Sequence, residues 1–423
     1  MPCRSIFLFV LIAIAAPTTA AGQTISASSE ATQFILSTAL VAAGGIGAMI
    51  AMAGFAIRDI GIVTMHHAPA ASLRIASGLA LAALVFWAGG FELATSVEEG
   101  GFLGDAALWT SRDLDPMAAG VAEGAPWFFA MALAGLGVAI MSGAVAGRVK
   151  LSAFLAAALL YLGVILPVVM GWVWGEGYFS DRWRFVDHAG AAVLNVTAGA
   201  AALAGVMVIG PRPGRYTNAA RVRGPAAMLA MTLLGAIFAW IGFLMIAAAR
   251  HGQLITAEDA ITIMKVLTTL TVGGGAGLLA ALVVTHIVYP RADLVTVAAG
   301  AIGGMVSLTG DPLYPALWQA LLIGGVGGVI VAATPAFMDR LGLDDATHAA
   351  PAHLFCGLWS VIIVAWTNPD AWLVGQVIGA AGVTLYAFVI AILGWVALKY
   401  TIGVRRSITP PRVLARFAGQ PAE

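Results

Sequence analysis

Eleven apolar runs, each close to the roughly 20 residues a helix needs to cross a bilayer, follow one another along this chain with short breaks between them. A chain built that way has lipid as its main solvent, and in lipid only helices and closed barrels satisfy their own backbone. The runs fall at 31–57, 71–95, 126–147, 151–173, 186–210, 225–249, 259–288, 293–309, 314–338, 345–367 and 371–400. Only 10% of the 423 residues are charged, against roughly 25% in a soluble domain. The expectation is one all-α membrane domain over 31–400 with eleven transmembrane helices and no soluble appendage. Net charge is zero and no basic block is long enough to follow a phosphate backbone, which excludes nucleic acid as a partner.

The first residues have signal-peptide grammar: Arg4, the apolar run Ile6 to Ala16, then small residues up to Ala21. Residues 1–21 are therefore expected to be a cleaved signal peptide, with a retained amino-terminal anchor as the alternative. Cleavage leaves Cys356 as the only cysteine, so no intrachain disulfide forms.

Positive charges orient the spans, because Lys and Arg near helix ends stay on the cytoplasmic side. In the eleven-span arrangement Arg58, Arg74, Arg148, Lys150, Arg212, Arg215, Arg221, Arg223, Arg291, Arg340, Lys399, Arg405 and Arg406 share one face. The other face has only Arg112, Arg182, Arg184 and Arg250, beside the acidic residues Glu98, Glu99, Asp105, Asp113 and Asp115. The amino terminus is thus expected outside and the tail 401–423 in the cytoplasm of a cell-membrane protein.

The 51 glycines lie largely inside spans, as in Gly300, Gly303 and Gly304 or Gly324, Gly325, Gly327 and Gly328. Small residues let helix backbones approach in lipid, so these are assigned to packing and none to a ligand.

An internal repeat narrows the fold. Asp187 is followed eight residues later by Asn195 and four further on by Gly199; Asp345, His353 and Gly357 repeat the spacing. The two segments open the fifth and tenth spans, an odd number of crossings apart, which is the pattern of an inverted five-helix pseudo-repeat with its substrate site at the midplane.

Ionisable groups at bilayer depth mark a pathway by default. His353 is two turns into its span, and the repeat makes Asn195 its partner at the midplane. A lone core histidine is the competing reading. Asp187 reads first as a helix N-cap and second as a group favouring cations at an outer vestibule. His188, seven residues before Asn195, falls on the same helix face about 10 Å nearer the outside. His348 is either an interfacial histidine or part of the same line. Trp174 and Phe243 lie where an outer vestibule would be, and an aromatic face attracts an ammonium ion by roughly 0.5 to 2 kcal/mol.

The stretches Val173 to Gly177, Asp187 to Gly205, Trp240 to Phe243 and Leu343 to Gly357 resemble the Amt/Rh ammonium transporter family, and the likeness runs over essentially the whole mature chain. The resemblance implies a homotrimer in the lipid bilayer whose subunits each carry a narrow hydrophobic pore for ammonium or ammonia, with no cofactor. It implies that Trp174 is the recruitment tryptophan, Asp187 the vestibule aspartate, Phe129 part of the outer pore wall, Phe243 a gate phenylalanine and His353 the second pore histidine. The sequence departs from the family at four positions: Asn195 replaces the first pore histidine, Leu133 the other gate phenylalanine, Ala247 a serine and His348 an aspartate. Asparagine exchanges hydrogen bonds but cannot titrate, so a slower or less ion-selective transporter is expected.

The same departures favour a second reading, an ammonium sensor of the same fold; the lack of a fused signalling domain counts against it. A membrane enzyme would need a nucleophile, metal cluster or acid/base pair, and none stands at suitable spacing. The resemblance allows a PII-type regulatory partner, but the basic tail, with Arg405, Arg406, Arg412 and Arg416, departs from the family's acidic continuation and argues against it. Such a tail can rest on anionic lipid.

Overall fold

The computed structural model describes residues 29–64, 67–111, 120–216, 226–288 and 292–406. The signal segment 1–21, the tail beyond Arg406, and His66, Arg112, Asp113, Asp115, Arg221, Arg223 and Arg291 lie outside the described residues.

Within the described residues the chain is helical, and its one β-type pairing is an isolated bridge between Val149 and Arg405. The helices are α1 (Ser29–Ile62), α2 (Ala68–Thr95), α3 (Gly124–Ala144), α4 (Leu151–Trp174) and α5 (Ala191–Ile209), then α6 (Ala226–Ala249), α7 (Ala257–Val288), α8 (Leu294–Val306), α9 (Leu317–Arg340), α10 (Ala350–Thr367) and α11 (Leu373–Thr401). Ten of these are long and apolar enough to cross a membrane.

The exception is α8, with 13 residues where the apolar run had suggested 293–309. It reaches only about 20 Å at 1.5 Å per residue, short of a hydrocarbon core near 30 Å. Hydrogen bonding stops it: the Thr309 carbonyl accepts from Ala189 N at 2.8 Å and the Gly310 carbonyl from His188 N at 2.7 Å. The chain after Val306 is thereby diverted into pairing with the segment before α5.

Glycines set the helix spacing. Along α1, Gly47, Gly54 and Gly61 recur every seven residues, and a Cβ on Gly54 would stand 2.5 Å from the Gly235 carbonyl of α6. A Cβ on Gly277 of α7 would likewise meet the Gly300 carbonyl of α8 at 2.5 Å. Backbone-to-backbone approach of this kind is what drives association where lipid removes the hydrophobic force. Of the glycines singled out in the sequence, Gly325 differs, facing open space.

The inverted repeat is visible as reciprocal contact. Gly199 of α5 lies against the backbone of Leu354 in α10, and Gly357 of α10 lies against Val196 of α5. Each residue of one pair is 158 positions from its counterpart in the other, the separation of Asn195 from His353. Asn195 and His353 therefore sit where the two halves cross, both fully buried.

The opening of α5 and α10 differs from the expectation. The runs 186–210 and 345–367 had placed Asp187 and Asp345 in the first helical turn, whereas regular structure starts at Ala191 and Ala350, in each case with a six-residue π-helical turn. Pro351 tolerates that position because a helix's first amides lack intrahelical partners. Ahead of α5 the chain turns at Gly190, with φ +91, a conformation glycine adopts without steric cost.

Candidate functional site

Helices α5 and α10 bring one polar side chain each to a common point. His353 Nδ1 and Asn195 Oδ1 are 2.8 Å apart, and Asn195 Nδ2 donates to the Gly190 carbonyl at 2.8 Å. These contacts fix the chemistry. An amide nitrogen that donates to a carbonyl leaves its oxygen to face the imidazole, so Nδ1 carries the proton and Nε2 presents a bare lone pair. Nε2 is buried with no protein partner, which makes it the free acceptor of the pair.

Aromatic rings enclose this acceptor. Phe243 of α6 stacks beside the imidazole with centroids 6.3 Å apart, and Phe55 of α1 meets it edge-on at 5.6 Å. Phe55 touches the imidazole although nothing in its spacing singled it out among 18 phenylalanines. Leu133 and Phe129 of α3 are buried in the same apolar cluster as Phe243, and Phe129 packs its ring against Gly44 of α1.

On the Trp174 side, Asp187 holds the start of α5. Its Oδ1 accepts from the Gly190 and Ala191 amides at 2.9 and 2.6 Å, and its Oδ2 from Ala192 and Val193 at 2.8 and 2.9 Å. Four otherwise orphaned amides end on one carboxylate, the structural member of the two readings offered by the sequence. The carboxylate oxygens are thereby directed at backbone.

His188 is not on a helix face with Asn195, because residues 187–190 are non-helical; the helical spacing that placed it there does not apply. Its amide donates to the Gly310 carbonyl at 2.7 Å, and its ring Nε2 is buried without a partner. Trp174 is close by, with Nε1 donating to the Asp187 carbonyl at 2.7 Å.

The face of Trp174 is occupied. Arg250, which the charge pattern had assigned to an external loop, stacks its guanidinium carbon 3.9 Å from the ring centroid and donates Nε to the His188 carbonyl at 3.0 Å. Burial lowers its pKa to about 10 and Asp187 acts in the opposite direction, so it remains a cation at neutral pH. Ala247 is buried one turn earlier in a separate apolar cluster with Ala189 and Leu270, and offers nothing polar.

On the opposite side, Asp345 accepts from the Thr347 and Ala350 amides at 3.3 and 2.7 Å, the counterpart of Asp187 with half its bonds. Asp344 receives Arg212 through Nε and Nη2 at 2.8 and 2.7 Å, with Arg148 beyond at 3.9 Å. His348 is half-buried with φ +56, and its Nε2 lies 3.3 Å from the Thr296 hydroxyl of α8. No group of three or more His, Cys, Asp or Glu that could hold a metal occurs among the described residues.

Arg58 and Asp59 are the polar residues that sequence reasoning misplaced. The apolar run ended at 57, but α1 continues to Ile62 and carries both residues inside, 1% and 0% exposed. Arg58 lies 4.4 Å from the centroid of Phe55. Its position directly after an apolar run, followed at once by a carboxylate, was the one available signal.

An all-α membrane domain whose inverted halves meet at a buried donor–acceptor pair defines a membrane transport protein. The profile described as the Ammonium Transporter Family matches residues 37–410, and the chain belongs to that family. It is 29% identical over 392 residues to ammonium transporter Amt1 of Haloferax mediterranei, covering 84% of this chain and 72% of that protein. It is 26% identical over 328 residues to Amt2 of Archaeoglobus fulgidus, covering 75% and 68%. Among solved structures, a sensor Amt protein superposes with TM-score 0.81 at 20% identity over 90% of this chain and 97% of that one. Saccharomyces cerevisiae Mep2 superposes with TM-score 0.77 at 18% identity over 89% of each. The protein is thus a multi-pass membrane protein of a transporter family.

Proposed function

We propose that the chain conducts ammonia derived from ammonium along the line from Trp174 to Asp345, with Asn195 taking the place of the first pore histidine. The observation that carries this is the Asn195–His353 bond at the crossing of the halves, which leaves Nε2 as a lone acceptor among aromatic rings. A bare ammonium ion in such surroundings costs many kcal/mol, so the proton must be left behind or the ion escorted by hydrogen bonds. Neutral imidazole accepts an N–H from the permeant, and the asparagine amide orients the ring without relaying a proton. In this reading Trp174 faces outside, Asp345 faces the cytoplasm, α8 completes eleven crossings in a cell membrane, and three copies assemble as a homotrimer.

Ammonium flux into proteoliposomes tests it: Asn195→His is expected to speed uptake by restoring a titratable pair, and equal rates refute the role given to Asn195. A second reading, an ammonium sensor, is favoured by Arg250, which fills the Trp174 face where an arriving ion would rest. Ligand binding without flux in the same vesicles selects that reading.

A further inference from the structure

We propose that the protein carries a binding site for a small organic ammonium ion, of the size of choline, in the cavity framed by the start of α1, residues 120–121 and the loop 252–255. The site is separate from the Asn195–His353 pair and does not depend on the reading given to that pair.

Glu30, Gln33, Phe34 and Ser37 stand at positions i, i+3, i+4 and i+7 of α1, which is one face of an α-helix. Ile35 and Leu36 beside them are 58% and 43% exposed and suit a face turned to lipid. The polar face instead lines a cavity of about 380 Å3, closed from the other side by Val121, Gln253 and Ile255. Glu30, in the first turn, is exposed, and Ser37, two turns further in, is buried, so the carboxylate stands at the mouth. The walls are tied to one another. Ser37 Oγ accepts from the Leu254 amide at 3.1 Å, and Thr38 Oγ1 from the Ala122 amide at 3.0 Å. Asp259 of α7 holds the loop, accepting from the Ile255 and Thr256 amides at 3.0 and 2.8 Å and meeting His251 Nε2 at 2.7 Å. Gln253 gives its Nε2 to the same carboxylate at 3.4 Å, which leaves its Oε1 as an acceptor. A cavity with walls fixed in this way loses little freedom when it is filled, and that favours binding.

The lining selects the ligand. Pockets for organic ligands begin near roughly 300 Å3, whereas a molecule the size of water or ammonium fills about 30 Å3. The space is therefore too large for ammonium and fits an amine with carbon substituents. Phe34 offers an aromatic face and Glu30 a carboxylate, which together recognise an alkylated ammonium head. Val121 and Ile255 receive its carbon atoms, and the Gln33 and Gln253 amides a hydroxyl or N–H. The lining carries no Lys or Arg among the described residues, so an anion would meet Glu30 unopposed. A head group of this chemistry arrives either from water, as a free amine, or from the bilayer, as the head of a phospholipid.

The test places full-length protein in nanodiscs of phosphatidylglycerol, a lipid without an amine, and measures radiolabelled choline by equilibrium dialysis. Saturable binding of one choline per subunit is expected, and the neutral carbon isostere of choline is expected not to compete. Glu30→Gln should weaken binding about threefold, the scale of an exposed ion pair, and Phe34→Leu about fivefold, the scale of a cation–π contact. Gln33→Trp, which fills the cavity from α1, should abolish it, with melting curves showing that each variant is folded. The same titration in phosphatidylcholine discs assigns the source. Equal binding there identifies a free amine as the ligand, and loss of binding there identifies the lipid head group. No saturable binding in phosphatidylglycerol discs overturns the proposal, as does binding that all three variants leave at the wild-type level. Neither result touches the conduit, whose failure is read separately from ammonium flux.

Discussion

Arg250 and Trp174 form a stacked pair in which the guanidinium carbon stands 3.9 Å from the indole centroid while Nε1 of the indole is held by the Asp187 carbonyl. The protein thereby supplies its own cation to that aromatic face. Arg250→Met is expected to free the ring and tighten methylammonium binding by roughly fivefold, about 1 kcal/mol of recovered cation–π contact. Indole fluorescence quenching measures this; unchanged affinity would show that the ring recruits nothing.

Asp187 ends four backbone amides on one side chain. Asp187→Asn keeps the shape but turns an NH2 group toward two of those amides. The expected outcome is a loss of about 2 to 4 kcal/mol, seen as a lower melting temperature in detergent and a poor yield of folded protein. A variant melting with the wild type would contradict the capping role.

Asn195→Ala strips His353 Nδ1 of its partner, while the Gly190 carbonyl keeps the Leu194 and Asn195 backbone amides. A buried group left in that state costs about 1 to 3 kcal/mol, so the variant is expected to melt below wild type. Melting curves collected beside those of Asn195→His, which keeps a hydrogen-bonding side chain, separate lost stability from lost transport.

The α1–α6 contact gives a paired experiment. Gly235→Ala puts a Cβ against the Gly54 carbonyl and the Arg58 amide and is expected to cost about 1 to 3 kcal/mol. Gly325→Ala meets nothing and is expected to be neutral or to gain up to about 1 kcal/mol of helix propensity. Equal melting temperatures would remove the backbone approach as the origin of that interface.

Asp344 carries a pH dependence. Burial alone lifts its carboxyl, but Arg212, with Arg148 behind it, more than offsets this and holds it at about 2, below the ordinary 3.8. A depressed carboxylate stabilises the fold above its unfolded value and ceases to do so as pH falls through its folded value. Stability is thus expected to drop by about 2 kcal/mol between pH 4 and 2. Arg212→Met should flatten that slope in melts across the same range, and an unchanged slope would assign it to another group.

The sequence disclosed what depends on periodicity. Long apolar runs gave ten spanning helices, and the matched spacing of Asp187, Asn195 and Gly199 with Asp345, His353 and Gly357 identified the two side chains that meet. It misled where backbone departs from 3.6 residues per turn. His188 was placed by helical rise across a stretch that is not helical, and α8 was overextended because its stop is a hydrogen-bonding partner far away in sequence at Ala189. Arg58 and Arg250 were read as markers of the membrane faces, since an arginine at the end of an apolar run ordinarily reaches water. No spacing rule reveals that one is enclosed beside Phe55 and the other folded onto an indole.

Gly199 against Leu354 and Gly357 against Val196 lock the two halves at backbone distance on either side of the crossing point. Surfaces joined so closely cannot swing past one another, so no see-saw of domains exposes the centre first to one compartment and then to the other. Any solute crossing at this level would meet a stationary wall and not a rocking one.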